Sequence, residues 1–197
     1  MNIRLAAAAV ALLASGCATI PEPGLPGDWP ARRDALQSLD DWSLSGRIAV
    51  AARSEGFSGG FTWQQRGEAA DIALRGPMGG AAILIHVEGG AVVVTDERGA
   101  THGGEDAQRF IAENFGSGSP LPIAEMRYWL VGAPAPGSPH QEALGEDQRL
   151  ATLHQSGWQV RYDRYGTVDK LALPERIELT TEGLRLRVAV ADWRIEP

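Results

Sequence analysis

Gly56-Phe57-Ser58-Gly59-Gly60 has the spacing G-x-S-x-G. In hydrolases of the doubly wound α/β type, that spacing turns a strand sharply into a helix and lifts the serine oxygen clear as a nucleophile. Here alternation continues through Phe61 and Trp63, so a strand follows the serine and the glycines read as a hairpin. His86, His102, His140 and His154 are scattered, with no H-E-x-x-H or paired-ligand spacing, and they support no metal site. No P-loop or dinucleotide fingerprint is present. The carboxylates fall on turns and exposed strand positions, where a solvated surface accounts for them. Nothing in the pattern points to an enzyme. Cys17 remains, the single cysteine, which excludes an intrachain disulfide.

The surroundings of Cys17 supply its chemistry. Met1-Asn2-Ile3-Arg4 is a short positive start, and residues 5–14 are an apolar run too short to span a bilayer. Leu13-Ala14-Ser15-Gly16-Cys17 then resembles the lipobox of bacterial lipoproteins, with Leu13 one place earlier than the usual branched residue. The resemblance implies a signal peptide over residues 1–16, cleavage after Gly16, and diacylglycerol and acyl groups on Cys17, with no other cofactor. Several chains on one cysteine make a stable anchor. Ala18, rather than Asp, follows the cysteine, which resembles the outer-membrane sorting pattern. Residues 17–28, rich in Pro and Gly, read as a lipidated tether, and residues 29–197 as a single domain.

The elements of that domain follow from periodicity. Residues 29–41 place Ala31, Ala35, Leu36 and Leu39 at helical spacing, with Asp28 as cap and Pro30 in the first turn. From Trp42 the period becomes two. Leu44, Ile48 and Val50 share a face, as do Phe57, Phe61 and Trp63, then Ile72 and Leu74, then Ile83, Ile85 and Val87. Short strands over residues 91–95 and 100–102 follow. Two helices interrupt, over residues 105–115 (Ala107, Phe110, Ile111) and 123–131 (Ile123, Met126, Trp129, Leu130). Strands resume at 149–155 and 158–162, then at 171–173, around Ile177 and Leu179, and from Leu184 through Val188 to Trp193. The expectation is a mainly β, antiparallel fold of about eleven strands with a helical insert after the sixth.

A curved sheet of that length either closes as a barrel or needs a cover. Its apolar side carries Ile48, Val50, Phe61, Trp63, Ile72, Leu74, Ile83, Ile85, Val94, Trp158, Tyr162 and Val188, and the helices add Phe110, Met126 and Leu130. These residues make either a filled core or a partly open cavity with a helical lid, where an acyl chain could lie. Between two strands sits Arg75-Gly76-Pro77-Met78-Gly79-Gly80, a turn holding one apolar side chain, Met78. Met78 either folds back onto the sheet edge or probes a membrane or a partner. The balance of 25 acidic against 18 basic residues argues against nucleic acid and against electrostatic docking on anionic lipid.

Six short pieces, in order after the lipobox, carry a family resemblance: residues 42–50 (WSLSGRIAV), 61–65 (FTWQQ), Gly76-Pro77-Met78-Gly79, Trp129-Leu130-Val131-Gly132, residues 157–162 (GWQVRY) and Leu173-Pro174, with Trp193 closing the chain. Together they resemble the LolB family of outer-membrane lipoprotein receptors. The resemblance implies an unclosed β-barrel with a helical lid, as in the periplasmic carrier LolA. It implies a monomer on the periplasmic face of the outer membrane that takes lipoproteins from LolA without ATP. It also implies that the loop at Pro77, Met78 and Gly79 acts in membrane insertion. The family usually has Leu where this chain has Met78.

Overall fold

The computed structural model describes residues 28–52, 56–76, 82–115 and 121–196. The chain runs α1 (Trp29–Gln37), β1 (Asp41–Ala52), β2 (Gly56–Arg66), β3 (Ala69–Arg75), β4 (Ala82–Glu88), β5 (Ala91–Thr95), β6 (Thr101–Gly103), α2 (Glu105–Phe115), α3 (Ile123–Val131), β7 (His140–Leu144), β8 (Leu150–Gln155), β9 (Trp158–Val168), β10 (Leu171–Thr181) and β11 (Leu184–Ile195). The strands form one antiparallel sheet in the order β6-β5-β4-β3-β2-β1-β11-β10-β9-β8-β7. The first and last strands pair at its centre, and β6 and β7 are left as its two edges. The barrel is therefore unclosed. The helices α2 and α3 lie between the two edge strands in sequence, so they carry the chain from one edge to the other.

Alternation decides which face is covered. In β4 and β11 every second residue is buried, and the buried set is the apolar one. β11 would lose this phase at its end, because Val190 and Trp193 are three residues apart. A bulge restores it: Ser45 pairs with Asp192 and Gly46 with Val190, leaving Ala191 as the extra residue. The backbone approach at the bulge is so close that a Cβ on Gly46 would sit 2.1 Å from the Ala189 oxygen. Trp193 then packs against Trp42 at 5.4 Å and donates its indole N–H to the Pro174 oxygen at 2.9 Å.

Both inserted helices have the bounds that periodicity predicts, and Asp28 caps α1 by accepting from the Ala31 N–H at 3.2 Å. The first helix ends at Gln37, not at residue 41, because β1 begins at Asp41. The strand total of eleven agrees for two compensating reasons. β7 is absent from the sequence reading, because a short, exposed edge strand, His-Gln-Glu-Ala-Leu, has no apolar alternation. β10 is one strand, not two. The sequence reading places one strand at 171–173 and another around Ile177 and Leu179; Pro174 joins them at a bulge, where a missing N–H is tolerated. Gly56 to Gly60 lie inside β2, paired with β1, and not in the hairpin turn the sequence suggests; no helix follows Ser58, so the G-x-S-x-G spacing makes no nucleophile elbow.

Candidate functional site

The helices close over the sheet, and between them lies an apolar cavity of about 40 Å3. Its walls are Ile48 and Val50 of β1, Phe61 and Trp63 of β2, Ile72 and Leu74 of β3, Ile85 of β4 and Leu186 of β11. Its roof is Leu121, Ile123 and Met126. Register places the walls: Trp63 stands opposite Ile72, Phe61 opposite Leu74, and Ile72 opposite Ile85. A water needs roughly 10–15 Å3 of such space, so the cavity is about three waters in size. A ligand of any length needs several hundred Å3, on the order of 300 or more. The form described is thus shut. Larger hollows, of about 610, 660 and 550 Å3, lie along the outer face of the sheet. They are grooves with charged and polar side chains in their walls, so the wholly apolar space is the better site for an apolar ligand.

Of the fifteen residues expected around a cavity, eight line it: Ile48, Val50, Phe61, Trp63, Ile72, Leu74, Ile85 and Met126. Ile83, Val94, Leu130, Trp158, Tyr162 and Val188 are buried elsewhere in the same core, and Phe110 is half-buried against it. Leu121, Ile123 and Leu186 complete the lining. Ile123 and Leu186 have the right spacing in the sequence, but only the packed helix shows that they meet. Cys17 and the loop residues Pro77, Met78 and Gly79 lie outside the described residues.

The two inserted helices are held differently, and only α3 lines the cavity. The Trp129 indole of α3 donates to Gln155 Oε1 at 2.8 Å, and that oxygen also accepts the Ala135 N–H at 2.8 Å. Gln155 Nε2 donates to the Ala135 oxygen at 2.8 Å, and the Tyr162 hydroxyl to the Trp129 oxygen at 2.9 Å. Burial pushes the Tyr162 phenol well up, so it stays protonated and donates. Arg127 reaches the Gly67 oxygen at 2.9 Å, and Glu125 accepts from Ser156 at 2.6 Å. Gly132, left-handed at φ 87°, ends the helix and satisfies its last carbonyls. α2, in contrast, makes no hydrogen bond to a strand among the described residues. Ala107 and Ile111 bury fully against the sheet, and Phe110 stacks on His102 of β6 at 4.7 Å. The buried Gln108 Oε1 has no partner among the described residues.

An unclosed antiparallel barrel with an apolar interior under inserted helices defines the structural class of the chain. Solved structures share it. A LolA-superfamily protein from Nitrosomonas europaea aligns at TM-score 0.55 and 11% identity, covering 84% of this chain and 91% of that one. A DUF1329-family protein from Desulfovibrio piger aligns at TM-score 0.58 and 9% identity, covering 84% and 89%. Sequence narrows the class. The family model described as Outer membrane lipoprotein LolB matches residues 40–193. The outer-membrane lipoprotein LolB of Nitrosococcus oceani is 33% identical over 93% of both chains. That of Halorhodospira halophila is 35% identical over 96% of this chain and 93% of its own. That of Pseudomonas putida is 36% identical over 94% and 92%. This chain belongs to the LolB family of outer-membrane lipoproteins, whose name ties it to lipoprotein localisation.

Proposed function

We propose that this protein receives lipoproteins from the periplasmic carrier LolA in the space under α2 and α3 and places them in the inner leaflet of the outer membrane, without ATP and without enzymatic chemistry. The carrying observation is the wholly apolar cavity between the sheet and the start of α3, roofed by Leu121, Ile123 and Met126. Burial is worth about 0.8 kcal/mol per CH2, so one acyl chain left in water costs on the order of 10 kcal/mol. A triacylated cargo therefore needs a sheltered route, and each station must bind its chains better than the last. Displacement of the roof at Leu121, Ile123 and Met126 would convert the shut cavity into such a station.

Residues 1–16 act as signal peptide, acylated Cys17 as anchor on the periplasmic face, and residues 17–28 as tether. The loop at Pro77, Met78 and Gly79 dips into the leaflet during release. Burying Met78 in lipid contributes at most about 2–3 kcal/mol, too little to anchor but enough to bias the loop toward the membrane. The protein works as a monomer. A second reading, a binding or scaffold lipoprotein of another outer-membrane assembly, draws support from the small volume of the cavity.

The test is transfer of a radiolabelled lipoprotein from its LolA complex to the purified acceptor, without membranes or nucleotide. Transfer of cargo is expected. Cargo that stays on a competent donor while the acceptor is folded overturns this reading in favour of the scaffold. In the same assay Met78→Glu is expected to accept cargo normally and to stall its release into added vesicles.

A further inference from the structure

The acidic balance of the whole chain conceals a row of arginines on the sheet face turned away from the helices. One cross-strand row there runs Arg75, Gly60, Arg47, Ala189 and Arg176 across β3, β2, β1, β11 and β10, and ends at Arg164 of β9. Apart from half-buried Gly60, all these residues are exposed, whereas their strand neighbours Leu74, Ile48, Val188 and Ile177 are buried. Arg75, Arg47 and Arg176 stand on alternate strands, about 10 Å apart, with glycine or alanine between them. The next row adds Arg187 and Arg161, which share Glu178 at 2.7 and 3.5 Å. Arg47, Arg75 and Arg176 make no ion pair with a described residue. Small Ala49 and Ala189 leave a hollow of about 550 Å3 between the arginines, whose walls also carry Asp163 and Glu178. Arg161 also pairs with Asp163 and Arg164 with Glu175. Toward the opposite ends of β1, β2, β3 and β11 the outward charges are of mixed sign, Asp71 with Arg66 and Asp192 with Arg194.

We propose that this arginine row docks on the anionic phospholipid headgroups of the membrane that carries the protein. Unpaired guanidiniums at this spacing repel one another, and phosphates are the complement their planar forks fit. The row crosses six strands, about 24 Å from end to end, so a surface bearing many phosphates meets it better than one small anion. The inference rests on the proposed anchor at Cys17. A tether of residues 18–28 spans at most about 40 Å and holds the sheet near the bilayer, where each basic residue adds a small attraction that salt screens.

The test uses the mature lipidated protein, in which acylation consumes the only native thiol. Ala49→Cys, on the floor of the hollow, carries an environment-sensitive dye. In phosphatidylethanolamine vesicles with about a quarter phosphatidylglycerol the dye reports lipid contact at low salt, and it loses that contact in about 0.5 M salt. It also loses contact in phosphatidylcholine vesicles. Combined Arg47→Glu and Arg176→Glu lower the signal severalfold, while the unfolding midpoint stays within that of the parent.

Equal signals in neutral vesicles, or indifference to charge reversal, overturn the proposal. So does a signal that depends on protein density, which marks a second copy, or one that needs an added acidic protein. Protein that washes off neutral vesicles removes the anchor premise and overturns it too. Cargo transfer measured on the same samples separates the two readings. Docking lost with transfer intact fails this inference alone, and transfer lost with docking intact fails the transport reading alone.

Discussion

The helices α2 and α3 cover one apolar sheet face by opposite means. α3 meets it through buried hydrogen bonds in which Gln155, Trp129, Tyr162 and Ala135 satisfy one another. α2 meets it through Ala107, Ile111 and Phe110 and leaves the Gln108 oxygen without a partner among the described residues. Apolar contact is non-directional and falls off gradually, so a helix held that way can shift and rebuild its contacts on an acyl chain. A buried polar network has one good geometry, and breaking it leaves donors without partners. The difference makes α2 the more weakly tethered cover and α3, whose first turn roofs the cavity, the firmly held one.

The same substitution in each region breaks or sharpens this contrast most strongly. Gln155→Leu orphans the Trp129 indole and the Ala135 N–H, and is expected to lower stability by about 2–5 kcal/mol, read from the urea midpoint at unchanged slope. Gln108→Leu removes an acceptor that has no partner, and is expected to change stability by less than about 1 kcal/mol, in the stabilising direction. Equal losses from the two would mean that α2 is pinned as firmly as α3.

A smaller effect compares the strands beneath. Val160→Ile adds a methylene where the β9 side of the core is full, and is expected to cost about 1–3 kcal/mol. Val50→Ile adds it beside the cavity, and is expected to cost less than about 1 kcal/mol while slowing cargo acceptance. If Val50→Ile is the more damaging in denaturation, the cavity does not relieve packing as described.

The smallest effect comes from a pair that neither helix touches. The hydrogen bond that His86 Nδ1 donates to Asp71 Oδ1, at 2.7 Å, raises the His86 pKa above its ordinary value. A raised folded-state pKa stabilises fully below the unfolded value near 6.5, and that contribution is lost as pH rises through the folded value. Both side chains are about half exposed, so the decline from about pH 6 to 8 amounts to no more than about 0.5 kcal/mol. It is expected to vanish in His86→Ala, measured by urea unfolding across that range, which sets the floor against which the helix substitutions are read.

Much of this molecule is legible in one dimension. Strands that bury one face must alternate, and a lid helix must carry a stripe, so β1 to β6, α2, α3 and β11 can be read from spacing alone. The six short pieces shared with the LolB family point to the family before any coordinates. Where local pattern is silent, the reading fails for a physical reason. β7 buries too little to alternate, and Pro174 looks like a break until a bulge gives its ring a place.

The tertiary structure alone decides which apolar residues face a cavity and which fill a core. Phe61 and Trp158 are equally apolar in the sequence, yet one lines the space under the lid and the other packs against Trp129. A cavity is a difference between volumes contributed by elements far apart in the chain, and periodicity carries no information about volume. The arginine row is the same kind of fact. Arg47, Arg75 and Arg176 are isolated charges in an acidic sequence, and only the strand register, adjusted by bulges, sets them side by side. The sequence determines which way each side chain faces. The closure of strand on strand and helix on sheet decides what it meets there.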